Sequence, residues 1–431
     1  MIGNNQHNLK PNYLKKNEKM KNCRIPLMII LVLGLTGCKK EEVTPNLIPK
    51  EINLTAQAPA VIAGNNEFGI ELFTLVAPEE DENIMLSPLS ASVALTMLLN
   101  GCGGDTYQQL KETLKYPNEL EIGDINEAYK SLVKQLLEAD PKVKIALANA
   151  IFYRLGFDVE SPFLSTMSEY YDAHIEGLDF GLPSALATIN GWASDNTYGK
   201  IPNVLDEIDS DAVMFLMNAL YFKGDWSYQF VKSQTQNRPF YLDDGTSLNV
   251  STMHGLVGAK YGFGANYQAI ELPYGRTNFT MVVVVPTESL VGFYSSFNAE
   301  TWNEITSSID EITDYSSVEV FMPKFKFSFE KFLNEQLQSM GMVDAFIPFT
   351  ADLSGISDAS IYVNFVKQNA FVEVNEEGTE AAAVTTIGIN LTSAGPSEPP
   401  VFVIDKPFIF TIRERTTNTL MFIGKIANPQ E

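Results

Sequence analysis

Residues 371–391 read Phe371-Val372-Glu373-Val374, then Asn375-Glu376-Glu377-Gly378, then Thr379-Glu380-Ala381-Ala382-Ala383-Val384-Thr385-Thr386-Ile387-Gly388-Ile389-Asn390-Leu391. The first four are strand formers, and the next four have the polar, glycine-ended character of a turn. An exposed linker is the simplest reading of residues 379–391. Against it stands an alternation: Thr379, Ala381, Ala383, Thr385, Ile387 and Ile389 are all uncharged and share one face if the segment becomes a strand. No proline occurs from there until Pro396, so nothing bars the segment from a sheet interior. The pattern describes a surface loop that is also a competent buried strand.

Outward from this stretch the chain divides by period. Toward the amino end, Ser87-Pro88 supplies a capping oxygen and a first-turn proline, and Val93, Met97 and Leu98 follow at helical spacing. Asp105 opens a second helix with Tyr107, Leu110 and Leu114 on one face. Residues 124–138 hold a third, with Ala128, Leu132, Leu136 and Leu137 three or four apart. Later segments, 143–153, 213–222, 280–285, 318–329, 361–374, 408–412 and 420–426, are rich in Val, Ile, Phe and Tyr and read as strands. Several exceed ten residues, which implies a large sheet, and helices stacked before strands give an α+β architecture. No linker or repeat interrupts residues 61–375, so one domain is expected.

The chemistry carried by the sequence is sparse. Only His7, His174 and His254, and Cys23, Cys38 and Cys102, are present, and none is spaced for a metal, so neither a metal nor a cofactor is expected. Nucleophile-elbow, phosphate-loop, dinucleotide and EF-hand patterns are all incomplete. Asp243-Asp244-Gly245, between Phe240-Tyr241 and Leu248, is a hairpin turn rather than a calcium loop. Thirty basic residues against 53 acidic ones give a net charge of -23, which disfavours nucleic acid and anionic membrane as partners. Cys102, at the end of an apolar helix, reads as a small half-buried residue.

The amino terminus reads as an address. Lys21 and Arg24 precede a short apolar run over 25–37, too short to span a bilayer comfortably. The run ends in Leu35-Thr36-Gly37-Cys38, which resembles the lipobox of bacterial lipoproteins. The resemblance implies cleavage before Cys38 and lipidation of its thiol. Residues 1–37 are then a signal peptide, with Met20 as an alternative start, and 38–60 a lipidated tether. Lys40-Glu41-Glu42 resembles a surface-export signal of Gram-negative lipoproteins, so the outer membrane or cell surface is expected, with membrane contact only through the lipid.

The stretch Asn375 to Ala383 resembles the hinge of the serpins, the suicide inhibitors of proteases. Asn83-Ile84-Met85-Leu86-Ser87-Pro88-Leu89-Ser90, Asn218-Ala219-Leu220-Tyr221-Phe222-Lys223-Gly224-Asp225-Trp226, Met322-Pro323-Lys324-Phe325 and Asp405-Lys406-Pro407-Phe408 resemble other signatures of that family, in its order. The likeness covers residues 61–428. It implies three β-sheets, eight or nine helices and an exposed reactive loop over about 376–400, in an inhibitor rather than an enzyme, acting as a monomer. The implied hinge is Glu376, Glu377, Gly378, Thr379, Glu380, Ala381, Ala382 and Ala383. The implied sheet-opening region is Ser87, Ser90, Asn218 and Gln368. Many serpins carry histidine where this chain has Gln368, and glutamine can serve a network with Ser87 or Asn218 because it both donates and accepts. The family's interval from the hinge places the reactive bond at Thr392 and Ser393, with 390–396 as the span of alternatives. No lysine or arginine lies between Glu376 and Pro400, so the implied targets are elastase-like serine proteases, with subtilisin-like or papain-like enzymes also open. These form a covalent acyl complex with the loop. A non-inhibitory member serving as a binding scaffold is the alternative.

Overall fold

The computed structural model describes residues 47–379 and 398–430. The expected signal peptide, Cys38, the hinge residues Glu380 to Ala383, and Thr392 and Ser393 lie outside the described residues. In chain order the helical part opens with α1 (Ala58–Val76), β1 (Ile84–Leu86), α2 (Pro88–Leu99), α3 (Gly104–Thr113) and α4 (Ile122–Leu137). The middle alternates: β2 (Val143–Arg154), α5 (Ser161–Tyr171), β3 (His174–Leu178), α6 (Pro183–Asn196), β4 (Met214–Asp225), β5 (Gln236–Tyr241), β6 (Ser247–Phe263), β7 (Tyr267–Pro273) and β8 (Phe279–Pro286). The remainder holds α7 (Leu290–Phe293), α8 (Ala299–Asp310), β9 (Ser316–Pro323), β10 (Phe325–Phe332), α9 (Asn334–Ser339), β11 (Lys367–Asn375), β12 (Gly378–Thr379), β13 (Val401–Val403), β14 (Phe408–Glu414) and β15 (Thr419–Ile426).

Nine α-helices among the described residues and a mixed set of strands make the expected α+β fold. The three expected sheets are present, two of them joined through β6 into one nine-stranded path. A six-stranded sheet runs β10-β11-β12-β4-β2-β3, and a nine-stranded one runs β1-β15-β14-β8-β7-β6-β9-β13 with β5 beside β6. The 17-residue β6 belongs to two sheets in succession, pairing with β5 and β9 through its first part and with β7 over Lys260 to Phe263. Every residue of β8, β14 and β15 is buried, and α1 and α2 cover the apolar interior between the sheets.

Local chemistry explains most boundaries. Ser87 caps α2 by accepting from the Ser90 N–H at 3.2 Å, with Pro88 at the first turn. The Asp243-Asp244-Gly245 turn joins β5 to β6, with Gly245 at φ +83°. Leu137, expected on the apolar face of α4, is instead exposed at its last residue, while Ala128, Leu132 and Leu136 are buried.

Two strands expected as single runs are shorter. The segment 318–329 breaks at Lys324, so that β9 and β10 lie in different sheets; Pro323 offers no N–H to carry a ladder onward. Residues 361–366 pack as irregular chain before β11 begins. The tether expected to reach residue 60 ends earlier. Asn278 clamps the backbone of Lys50 through both amide atoms, at 2.7 and 2.8 Å, and Gln135 does the same to Asn53 at 2.7 Å each way. Ile52 is buried and α1 starts at Ala58.

Candidate functional site: a slot in the six-stranded sheet

In the six-stranded sheet, β4 and β11 run parallel to each other and share no ladder of their own among the described residues. Among the described residues, the two of β12 alone join them. Thr379 pairs antiparallel with Val374 on one side and Gly224 on the other, and Gly378 with Asn375 and Asp225. The chain leaves β11, reverses through Glu376 and Glu377, and begins a new strand in the gap. Gly378 sits at φ +153°, and a Cβ there would lie 2.1 Å from the Gly224 carbonyl oxygen, so only glycine fits the reversal.

The reversal is held at each residue. The Trp226 indole N–H donates to the Asn375 carbonyl at 2.9 Å, the Trp226 backbone N–H to the Glu377 carbonyl at 2.9 Å, and the Phe230 N–H to the Glu376 carbonyl at 3.0 Å. Glu376 is buried; its carboxylate accepts from the Thr235 hydroxyl at 2.7 Å and pairs with Lys324 at 2.9 Å. Burial alone raises the carboxyl's pKa, but the Thr235 hydroxyl, its own backbone and Lys324 outweigh that and hold it below the usual carboxylate range. Glu377 pairs with exposed Lys232.

Thr379 is buried, and its hydroxyl shares a 2.6 Å hydrogen bond with the Tyr274 hydroxyl. Tyr274 is itself fully buried and stacked on Trp226, with ring centroids 4.4 Å apart and planes 11° from parallel. Gly224 leaves room for this ring, since a Cβ there would meet the Tyr274 ring at 2.9 Å.

Beyond Thr379 the slot continues into a cavity of about 210 Å³ between β4 and β11, over α2 and under α6. Ser90, Asn218 and Gln368 line it, and Ser87 adjoins. Gln368 takes the two-way role expected of a glutamine: its Oε1 accepts from the Ser87 N–H at 3.0 Å and its Nε2 donates to the Ser87 carbonyl at 2.9 Å. The Ser87 hydroxyl donates to the Met421 carbonyl at 2.8 Å, which ties α2 to β15. Asn218 is not part of that pair. Its amide donates to Asn149 at 2.6 Å, and its buried Oδ1 has no protein partner among the described residues.

Sequence reading missed the partners that fix the hinge. Tyr274 and Thr235 lie 105 and 141 residues from the residues they hold, in segments that carry no pattern of their own. Trp226 and Lys324 fall inside family signatures that give them no role. The other candidates stay structural. Burial, then Asp352, pushes the Cys102 thiol up to about 12, which leaves it unreactive. Among the described residues no histidine, cysteine or carboxylate cluster is arranged for a metal, and no helix is long and apolar enough to cross a membrane.

The family model described as serpin (serine protease inhibitor) matches residues 63–429. The chain belongs to the serpin family. An uncharacterized serpin-like protein of Methanosarcina acetivorans is 30% identical over 420 residues, covering 94% of this chain and 97% of its own length. Among solved structures, the thermophilic serpin Tengpin in its native state superposes with a TM-score of 0.77 at 30% identity, covering 88% of this chain and 96% of that one. Its latent state gives 0.73 at 28% identity, with 88% and 99% covered. Serpins as a family are protease inhibitors that engage target proteases.

Proposed function

We propose that this serpin is an inhibitory one, a suicide substrate for elastase-like serine proteases, carried on the cell envelope by a lipid on Cys38. One observation supports the inhibitory reading above all: the hinge already occupies the first rung between two parallel strands that nothing else joins among the described residues, and the residues after it in sequence alternate as a strand should. The protease's serine oxygen attacks the carbonyl carbon of Thr392, the bond to the Ser393 nitrogen breaks, and that nitrogen departs as an amine with the proton. Thr392 is left as an ester on the protease. Residues from Glu380 onward, freed at one end, then extend β12 down the slot and carry the protease with them before water can cleave the ester. A dozen new ladder residues at about 1 kcal/mol per hydrogen bond give a driving force on the order of 10 kcal/mol. Small hinge residues, Ala381, Ala382 and Ala383, favour a fast start. With no lysine or arginine between Glu376 and Pro400, the loop suits the shallow pocket of an elastase and offers no cation to an acidic one.

The lipoprotein part of the reading rests on the charged, apolar and Leu-Thr-Gly-Cys succession over 21–38. The test of function is a digest with elastase: an inhibitor gives a covalent complex that survives denaturant, whereas a non-inhibitory scaffold gives clean loop cleavage.

A further inference from the structure

We infer that Lys223 of β4 is a positioning residue for loop insertion, the cation that receives Glu380 as that residue enters the sheet behind Thr379. The inference rests on the proposed insertion of the loop and names one contact that insertion makes. Thr379 pairs with Gly224 on β4 and with Val374 on β11. One step further along each antiparallel register, the incoming Glu380 lies between Lys223 and Glu373. The Thr379 side chain faces the buried interior, where it meets Tyr274, so the next side chain of the same strand faces solvent. Lys223 is already opposed by Lys144 of β2, and Glu373 by Lys326 of β10. The completed rung therefore reads Lys144, Lys223, Glu380, Glu373 and Lys326 across neighbouring strands.

The charges on this rung are unbalanced before insertion. Glu373 is paired with Lys326 at 3.1 Å. Lys223 has no such pair among the described residues, and the residue directly opposite it is another lysine, an arrangement that weakens a ladder. The Lys144 ammonium lies 3.3 Å from the Tyr198 ring centre, which leaves its charge uncompensated by an acid. Asp225 sits two residues along the same face of β4; burial raises its carboxyl, and Lys223 offsets that only in part. Lys200 reaches the same face of β11 at Phe371, with its ammonium 4.7 Å from the ring centre. Glu380 is the only charged residue from 379 to 397, so the segment carries one charge into the sheet and carries it to this rung. Without Lys223 its carboxylate would stand directly opposite that of Glu373, a like-charge pair that a ladder disfavours. With Lys223 the rung holds two acid–base pairs, and the repulsion between Lys144 and Lys223 is relieved. The pair forms at the first step behind Thr379, where insertion competes with hydrolysis of the acyl-enzyme.

The test is a charge-swap cycle on the full chain, read as the ratio of cleaved to trapped inhibitor on titration with elastase, at low salt and in about 1 M sodium chloride. An opposite-charge pair across a ladder is worth a factor of about 2–5. Reversing either charge also creates a like-charge contact, so Lys223→Glu and Glu380→Lys should each raise the ratio about 5-fold at low salt. The double variant Lys223→Glu/Glu380→Lys should return to within about 2-fold of wild type, and high salt should shrink the effect of each single variant. A lysine that served only the packing of β4 would give no rescue, because the second change would add to the first. Glu380→Lys alters no residue of the folded body, so its excess of cleaved chain reports on insertion and not on folding. A wild-type ratio in Glu380→Lys, additive losses in the double variant, or rescue of Glu380→Lys by Lys200→Glu and not by Lys223→Glu would overturn the assignment of Lys223 while leaving inhibition by the wild type intact. A wild type that elastase cleaves and that traps none of it removes the insertion reading and the pair with it.

Discussion

Replacing Thr379 by arginine probes the first rung of the slot. The threonine hydroxyl is bonded to Tyr274 at 2.6 Å in a buried site beside the stacked Trp226 ring. The substitution removes that hydrogen bond, at about 1 kcal/mol. It also asks the sheet to bury a guanidinium without a partner, at about 3–5 kcal/mol. Native β12, only two residues long, escapes the cost by leaving the slot. Insertion after cleavage cannot, because every later residue enters behind position 379. A barrier raised by about 4 kcal/mol slows insertion about 1,000-fold, and hydrolysis of the acyl-enzyme then wins. The assay is titration of elastase with each variant, read as denaturant-stable complex against cleaved chain. Thr379→Arg should be cut at the wild-type rate and trap almost none of the protease, while Thr379→Ser, which keeps the hydroxyl, should trap normally. Trapping by the arginine variant at wild-type stoichiometry would refute the reasoning.

Glu376 has a folded-state pKa below its ordinary value of 4.5, so its contribution is present above that value and is lost as pH falls from it through the depressed folded value. The gap in melting temperature between wild type and Glu376→Gln should therefore be widest near neutrality and close in acid; a gap that widens on acidification contradicts the assignment. Gln368→Ala strands the buried Ser87 N–H and carbonyl and should cost about 2–3 kcal/mol in urea unfolding, whereas an unchanged midpoint would mean that the pair does not hold α2 to β11. Cys38→Ala should move the protein from the membrane pellet to the soluble fraction of the expressing cells, and unchanged partitioning rules out the anchor at that residue.

Sequence pattern reveals different parts of this molecule unequally. The hinge and its alternation are legible because strand periodicity is local, and Ser87-Pro88 announces α2 by a cap and a proline that act within one turn. α1 escapes a reading by period because Asn65 and Asn66 sit on its buried face, bonded to the Leu420 and Asn418 carbonyls. β6 is hidden by Gly255, Gly258 and Gly262. At Gly258 a Cβ would lie 2.4 Å from the Tyr228 ring, so the glycine is a packing requirement and not a turn. The partners of the slot are invisible for another reason: Tyr274 and Thr235 meet the hinge only through tertiary folding, which no local period encodes. Of the two partners open to Gln368, Ser87 or Asn218, it takes Ser87, and the Asn218 amide turns across the ladder to Asn149, its directly opposed residue on β2.

The central claim is that cleavage drives the loop into the slot between β4 and β11 while the protease is still attached. Mixing the full chain with elastase and analysing the product by denaturing gel and mass spectrometry tests it in one measurement. The account predicts a band at the summed mass of protease and inhibitor that survives boiling in detergent, together with a released carboxyl-terminal fragment that begins at Ser393. Quantitative cleavage at that bond with free, fully active elastase and no such band would contradict it.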